Sequence, residues 1–485
     1  MKLTEILRNI EILSPGRYSD CEISGIVFDS RKVEKDSLFV AVRGTKTDGH
    51  EYISDAIKSG ASAVICEELP PEKPENAVFL KVADSASALG IAASGFYGDP
   101  SHQLTLVGVT GTNGKTTIAT LLFRTFRKLG YKCGLFSTVC NYIEDRELPA
   151  THTTPDPVQL NRTLAEMVSN GCNYAFMEVS SHSVDQKRIA GLKFRGGIFT
   201  NLTHDHLDYH KTFDNYLAAK KGFFDLLGPG SFALANADDR NGKVMLQNTK
   251  AEKYMFSTRG MADFRASILE QRFEGMGLRI DGEEVWTRFI GDFNASNLLA
   301  VYAAAVLLGE SKKEILTIIS GLYSVPGRLE VVSSTGSITG IVDYAHTPDA
   351  LLNVIETINK IRQGDKRLIT VVGAGGDRDR TKRPKMAAIS AAGSNRVILT
   401  SDNPRSEDPE KILDEMEEGI TPDLKNRVVR IADRRQAIKT AVMLAESGDV
   451  ILVAGKGHET YQEVKGVRHR FDDREELGKA LLMKI

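Results

Sequence analysis

The run Thr110-Gly111-Thr112-Asn113-Gly114-Lys115-Thr116-Thr117 is the strongest chemical signal in the sequence. It follows the apolar stretch 104–109 and opens a helical pattern with Ile118, Leu121, Leu122, Phe126 and Leu129 on one side and Gly130 at its end. A strand, a glycine-rich turn and a helix N-terminus aim backbone N–H groups and a positive dipole end at phosphate. In that setting Lys115 reaches the outer phosphates and the Thr116 hydroxyl ligates Mg²⁺. The common form of this loop carries glycine five positions before its second glycine, and Val109 stands there instead. The competing reading is a glycine-rich turn with an incidental lysine. The flanking strand and helix patterns favour a nucleoside triphosphate site.

A metal partner for such a loop belongs at the end of a neighbouring strand. Tyr174-Ala175-Phe176-Met177-Glu178 is an apolar run ending in a carboxylate, which suits Mg²⁺ beside a phosphate loop. Away from one it would read as a surface glutamate. The segment Asn201-Leu202-Thr203-His204-Asp205-His206-Leu207-Asp208-Tyr209-His210 gathers three of the ten histidines. His204 and His206 would allow a zinc or di-metal hydrolase, and a polar loop capping the next helix is the plainer alternative. Further on, three apolar runs are each followed by a polar cluster. These clusters are Gly373-Ala374-Gly375-Gly376-Asp377-Arg378, Ser401-Asp402-Asn403-Pro404-Arg405 and Gly455-Lys456-Gly457-His458-Glu459. The first is not a dinucleotide fingerprint, because Arg378 stands where GxGxxG requires its third glycine. Loops after successive strands of one open parallel sheet converge at its carboxyl edge, where such sheets take ligands. Taken singly, each is an ordinary strand-end loop.

These residues need a scaffold. From residue 104 apolar runs alternate with amphipathic patterns, the mark of βαβ units and a mostly parallel sheet. One helix is well specified: Asp156 caps it, Pro157 takes its first position, Gly171 ends it, and Leu160, Leu164, Met167 and Val168 share a face. Turn-rich breaks at Gly98-Asp99-Pro100-Ser101 and Ser324-Val325-Pro326-Gly327 divide the chain. The expected organisation is α/β throughout, in three domains at 1–100, 101–328 and 329–485. The first is a smaller unit whose apolar runs 23–28 and 38–42 read as strands. The 485 residues agree with three domains at ~150 residues each. Hydrophobic content of 41% and charged content of 26% exclude a disordered or fibrous chain. Lys+Arg total 62 against 64 for Asp+Glu, so no global field favours nucleic acid. The apolar run 298–308 is short of the ~18 residues of a membrane span. Glu5, Arg8 and Glu11 interrupt any signal-peptide pattern. Five cysteines without a CxxC pair read as reduced thiols of a cytoplasmic protein.

TGTNGKTT, EVSSH, NLTHDHLDYH, GDFNASN, PGRLE, DYAHTPD, DNPR and GKGHE occur here in the order found in the Mur ligases. These are the ATP-dependent amide-forming enzymes of peptidoglycan precursor synthesis. The chain resembles that family over essentially its whole length, and the family's loop has the same shorter form without the first glycine. The resemblance implies a small α/β UDP-binding domain, a central P-loop ATPase-like domain with a parallel sheet, and a C-terminal Rossmann-like α/β domain that takes the amino acid.

Carried over by position, Phe28, Ser30, Thr45, Lys46 and Thr47 match residues that hold the UDP end of the substrate. Thr153, Thr154, Ser180, Gln186 and Arg188 match residues that hold its sugar-peptide part. Gly111, Thr112, Asn113, Gly114, Lys115, Thr116 and Thr117, with Asn297, Arg328 and Asp343, match the ATP site. The resemblance makes Lys115, Lys220, Glu178 and His206 catalytic, with Thr116, Glu178 and His206 as Mg²⁺ ligands. His204 then reads as a neighbouring loop residue, which weakens the hydrolase alternative. Tyr216-Leu217-Ala218-Ala219-Lys220 matches the family's carbamylated-lysine segment, where Lys220 as a carbamate would be a further oxygen ligand; from the residues alone it is an exposed helix lysine. Arg378, Asp402, Asn403, Pro404, Arg405, Gly455 and Glu459 match the amino-acid site, and DNPR is the family's diaminopimelate form. The implied reaction adds meso-2,6-diaminopimelate to UDP-N-acetylmuramoyl-L-alanyl-D-glutamate through an acyl phosphate. Its implied partners are small molecules only, in a cytoplasmic monomer that neither binds nucleic acid nor inserts into a membrane. Alternatives are L-lysine as the added amino acid, another Mur or folyl-polyglutamate ligase, the metal hydrolase, or a nucleotide switch. Against the switch, Asn236-Ala237-Asp238-Asp239 lacks the lysine of the guanine-reading Asn-Lys-x-Asp.

Overall fold

The structure is a computed structural model and describes residues 1–14, 19–44, 47–150, 152–203, 205–332, 338–362 and 364–484. Three α/β sheets follow one another along the chain. The first has four parallel strands in chain order, Gly25–Val27, Ser37–Val40, Ala61–Cys66 and Val78–Lys81. Ser37–Val40 is buried at every position, as parallel strands covered on both faces must be. The expected strand 23–28 is shorter because the Ile23 amide leaves the ladder to bond Met1 O at 2.8 Å.

The second sheet has eleven strands, with Thr105–Thr110 between Tyr174–Glu178 and Gly196–Phe199, all three parallel. Antiparallel strands occur only towards its margins. The chain passes from Tyr174–Glu178 on one side of Thr105–Thr110 to Gly196–Phe199 on the other, so the order reverses there. An open sheet has its binding crevice at such a switch point. The loops after Thr110, Glu178 and Phe199 all leave at that place. The Ala-rich run 298–308 belongs mostly to the helix Asp292–Leu307, which is buried nearly all round. Pro157–Ser169 has Asp156 as its cap, accepting from the amides of Val158 and Gln159, and Gly171 follows it in the left-handed conformation.

The third sheet orders its six strands as Glu330–Val332, Thr339–Asp343, Val450–Ala454, Leu368–Val372, Arg396–Leu399 and Val428–Arg430. Only the first is antiparallel to its neighbour. Pro348–Ile361, Lys382–Gly393 and Pro409–Glu417 pack on one face, and Arg434–Leu444 and Asp473–Met483 on the other. This is the doubly wound arrangement expected of the C-terminal region. Val450–Ala454, Leu368–Val372 and Arg396–Leu399 are adjacent and parallel, so their polar clusters emerge together at one edge. The second and third sheets are tied by Arg328 Nη2 donating to Thr116 Oγ1 at 3.3 Å and by ion pairs of 2.8 Å joining Lys382 to Asp205 and Lys360 to Asp292. Among the described residues, no helix is long and apolar enough to cross a membrane.

Candidate active site

The turn after Thr110 enters the helix Lys115–Lys128 through Gly114, whose φ of 90° suits glycine. Gly111 has φ 148°, and a Cβ there would lie 1.8 Å from Thr200 Oγ1, so no other residue fits. Lys115 Nζ donates to Gly111 O at 2.9 Å and to Thr112 O at 2.7 Å. The loop is braced from the next strand end. The Thr112 amide donates to Asn201 O at 2.8 Å, the Asn113 amide to Asn201 Oδ1 at 2.9 Å, and Thr200 Oγ1 to Asn113 O at 2.6 Å. The residues just before the histidine cluster therefore fix the loop's shape, a role that residue type alone did not reveal.

Lys220 lies on the helix Phe213–Asp225 and is buried, not exposed as residue type alone suggested. Its Nζ donates to Gly111 O at 2.7 Å and sits 4.8 Å from the centre of the Tyr216 ring. Burial and the charge of Lys115 push the Lys220 amine far below its usual range, against the pull of Asp205. Burial also lowers Lys115, with Glu178 and Asp205 opposing and Arg328 adding to the shift. Glu178 is fully buried at its strand end, where its oxygens accept from the Thr138 amide at 2.6 Å and from Thr138 Oγ1 at 3.2 Å. His206 adopts a left-handed φ of 54°. Crowding by the surrounding protein lowers its imidazole to about 4 against the nearby Asp205, with Lys115, His182 and Lys220 adding to the shift. Burial raises Asp205, but His206 and Lys382 outweigh it and hold that carboxyl well below its usual range. Thr116, Glu178 and an unprotonated His206 form a donor set that fits a hard divalent cation. A protonated Lys220 would oppose one. Among the described residues there is no cluster of three or more His, Cys, Asp or Glu able to hold a metal, and His204 lies outside them.

Beside the loop a cavity of about 340 Å³ opens between the second and third sheets. Asn113, Gly114, Thr117 and Asn297 line it from one side, and Arg328, Asp343, Tyr344 and His346 from the other. Asn236, Asp238 and Asp239, weighed above as a base-reading motif, also face it. The Arg328 guanidinium lies 4.5 Å over the Tyr344 ring. Asp343 accepts from the amides of Leu329 at 2.6 Å and Ala345 at 2.7 Å. Burial raises its carboxyl to about 6, with Arg328 and those two amides opposing.

Thr154, Ser180, Gln186 and Arg188 form one connected group. Thr154 Oγ1 donates to Glu178 O at 2.8 Å and accepts from the Ser180 amide at 3.2 Å. Arg188 reaches Thr154 O at 2.8 Å and Gln186 Oε1 at 2.7 Å. Thr153 joins them through a hydroxyl–hydroxyl hydrogen bond of 3.1 Å with Thr138 Oγ1. In the first sheet Phe28 is exposed, and Ser30 opens a single helical turn capped by Asp29. Thr47 is exposed, while Thr45 and Lys46 lie outside the described residues.

At the carboxyl edge of the third sheet, Arg405 has φ 52° and donates from Nη1 to Gly376 O at 2.6 Å. A surface pairing of Arg405 with Glu407 is not found: Glu407 is taken by Arg383 and Arg380. Asn403 Nδ2 donates to Glu459 Oε2 at 2.7 Å. Asp402 Oδ2, buried without a hydrogen-bond partner, would be 2.6 Å from a Cβ on Gly455. Pro404 packs its carbonyl against Gly376, and Arg378 is exposed. Lys456 bonds Asn403 and Glu459, Tyr344 packs against Gly457, and Lys382, opening the helix Lys382–Gly393, reaches Asp205; residue type alone records neither their burial nor these contacts.

A phosphate loop at the switch point of one sheet, facing the carboxyl edge of a second doubly wound sheet across a cavity, is matched in known proteins. Residues 22–97 match the Mur ligase family catalytic domain, 109–305 the Mur ligase middle domain, and 327–457 the Mur ligase glutamate ligase domain. The chain belongs to the Mur ligase family and is an ATP-dependent amide ligase. It is 58% identical over 485 residues, 100% of both chains, to the UDP-N-acetylmuramoyl-L-alanyl-D-glutamate–2,6-diaminopimelate ligase of Bacteroides fragilis. It is 40% identical to the ligase of the same name from Clostridium tetani, with 98% of each covered. A solved structure of a ligase with that name superposes with a TM-score of 0.71 at 34% identity, covering 100% of this chain and 99% of that one. The MurF ligase of Thermotoga maritima in complex with ADP shares the fold, with a TM-score of 0.61 at 19% identity over 95% of this chain and 98% of that one.

Proposed function

We propose that this chain joins meso-2,6-diaminopimelate to the D-glutamate of UDP-N-acetylmuramoyl-L-alanyl-D-glutamate, converting ATP to ADP and phosphate. The observation that carries the reading is the meeting of two sheet edges, one bearing the phosphate loop and the other Arg405, Asn403 and Glu459, tied by Lys382 and Asp205. The full-length relatives named for this reaction support it. Residues 1–100 take the UDP end through Phe28, Ser30 and the segment 45–47, residues 101–328 take ATP, and residues 329–485 take the amino acid.

A carboxylate is a poor electrophile, so the γ-phosphoryl group of ATP passes first to the D-glutamate side chain. Lys115 and the amides opening the helix Lys115–Lys128 neutralise charge on the phosphates, while Asn297, Arg328 and Asp343 hold the rest of the nucleotide. Thr116, Glu178, His206 and a carbamylated Lys220 would hold Mg²⁺, whose charge screens the phosphates during that transfer. Burial prepares Lys220 for this modification: its neutral amine bonds to CO₂, loses a proton to solvent, and becomes an anionic carbamate with oxygen donors. Thr153, Thr154, Ser180, Gln186 and Arg188 orient the peptide carboxylate towards the loop. The amine of diaminopimelate then attacks the acyl phosphate, and phosphate leaves. The Lys382–Asp205 contact keeps the third sheet over this centre and excludes water from the acyl phosphate. The protein works in the cytoplasm as a monomer on small molecules. An ADP-release assay tests the reading: release should require the UDP-muramoyl dipeptide and diaminopimelate together, and release with either alone would contradict it.

A further inference from the structure

The Lys456 side chain is fully buried, and its Nζ donates to Asn403 Oδ1 and to Glu459 Oε2, each at 3.0 Å. Asn403 closes the ring by donating to the same Oε2 at 2.7 Å. Asn403 Oδ1 accepts a further bond from the Glu463 amide at 2.9 Å. Both Lys456 and Asn403 therefore use one oxygen of the glutamate and leave Oε1 to neither. Burying an ammonium is unfavourable unless it is paired and hydrogen-bonded, so its presence here asks for a reason.

We propose that Lys456 is a positioning residue of the amino-acid site, locking the Glu459 carboxylate and the Asn403 amide into one fixed unit that offers Glu459 Oε1 to the ammonium of the incoming amino acid. This rests on the reading of 402–405 and 455–459 as that site. The electrostatics agree with the geometry. Burial and the neighbouring Asp402 push the Glu459 carboxyl up, and Lys456 is the cation that opposes them. Asp402 itself carries an unpartnered buried oxygen, Oδ2. Without Lys456 the Asp402 and Glu459 carboxyls would keep only the influence of the buried Arg434, which is paired with Asp473, and Glu459 would lose the cation hydrogen-bonded to it and take up a proton more readily. Held in place, the unit recognises one ammonium group of a zwitterionic amino acid.

The test is steady-state kinetics with ATP, the UDP-muramoyl dipeptide and meso-diaminopimelate on Lys456→Met, Glu459→Gln and the double variant. Lys456→Met should raise KM for diaminopimelate by about 30-fold or more. Its KM values for ATP and the UDP-dipeptide should stay within about twofold of wild type. The double variant should lose no more than Glu459→Gln alone, because the two residues act as one unit. It also lacks the unpaired carboxylate, so it answers the question even if Lys456→Met fails to fold. An unchanged KM for diaminopimelate in Lys456→Met, a rise shared by all three substrates, or losses that multiply in the double variant would overturn the inference. An unchanged KM in Glu459→Gln would instead overturn the site reading beneath it.

Discussion

Lys115 and Lys220 share one acceptor: their Nζ atoms donate to Gly111 O at 2.9 and 2.7 Å. Two ammonium groups on a single buried carbonyl repel each other, and burial with that repulsion pushes the Lys220 amine far below its usual range, against the pull of Asp205. The pair differs in place: Lys115 opens the helix Lys115–Lys128 beside the loop, and Lys220 reaches the same carbonyl from the helix Phe213–Asp225.

The first prediction separates Lys220 from its neighbour. Lys220→Ala should fold and lose most ligase activity, by about a hundredfold or more, with partial recovery on adding a short carboxylate such as acetate. Lys221, half-buried on the same helix, pairs with the exposed Asp225 one turn on at 2.7 Å. Lys221→Ala should therefore cost roughly 0.5 kcal/mol of stability or less and leave turnover intact. Full activity in Lys220→Ala would remove the modified lysine from the mechanism.

Selectivity should depend on Arg405. Its guanidinium holds Gly376 O with one N–H and is not consumed by Glu407. With L-lysine in the site that cation would lack its anion, so wild type should favour meso-diaminopimelate by roughly a hundredfold or more in kcat/KM. Arg405→Ala should shrink that ratio, chiefly by losing diaminopimelate turnover. Equal use of the two amino acids by wild type would refute the assignment.

Stability of the third sheet should hinge on Arg434 and Asp473, both fully buried and paired at 2.7 Å. Arg434 also donates to Ala454 O at 2.9 Å and to Ser401 O at 3.4 Å, so it ties together the strand ends that carry the amino-acid loops. Arg434→Met leaves a buried carboxylate unpaired and should cost about 3–5 kcal/mol in urea unfolding. The double variant Arg434→Met/Asp473→Leu should recover part of that loss. No recovery would mean that the carbonyl contacts, not the charge pair, dominate.

Acid should weaken the same region. Hydrogen bonds from Arg383 lead in holding the Glu407 carboxyl down at about 2, against burial, with the Asp377 amide and Arg380 assisting. A carboxyl lowered on folding adds stability that is present above its unfolded value of 4.5 and is lost as pH falls through about 2. The gap in unfolding free energy between wild type and Arg383→Gln should therefore narrow from about pH 5 to about pH 3. A constant gap would show that Arg383 acts by packing alone.

Much of this was legible in the sequence. The phosphate loop, the strand ending at Glu178 and the helix capped by Asp156 each combine a local pattern with a turn or cap residue, and each forms as read. The three C-terminal strand-end clusters also meet, because adjacent parallel strands bring their ends to one edge. What single-residue chemistry hid was burial. Lys220 reads as a surface lysine on its helix, and only the fold, by turning that helix towards Gly111, makes it a buried amine. Lys456 was hidden for the same reason. The bracing of the loop by Thr200 and Asn201 joins positions far apart in sequence, and no local period records such a contact.

The central claim is tested most directly by a competition measurement. The purified chain is given ATP, UDP-N-acetylmuramoyl-L-alanyl-D-glutamate and equal amounts of meso-diaminopimelate and L-lysine, and the UDP-linked product is identified by mass spectrometry alongside ADP release. The account predicts one product, the diaminopimelate-containing tripeptide, formed in step with ADP. A lysine-containing tripeptide, or ADP released without a new amide bond, would contradict it.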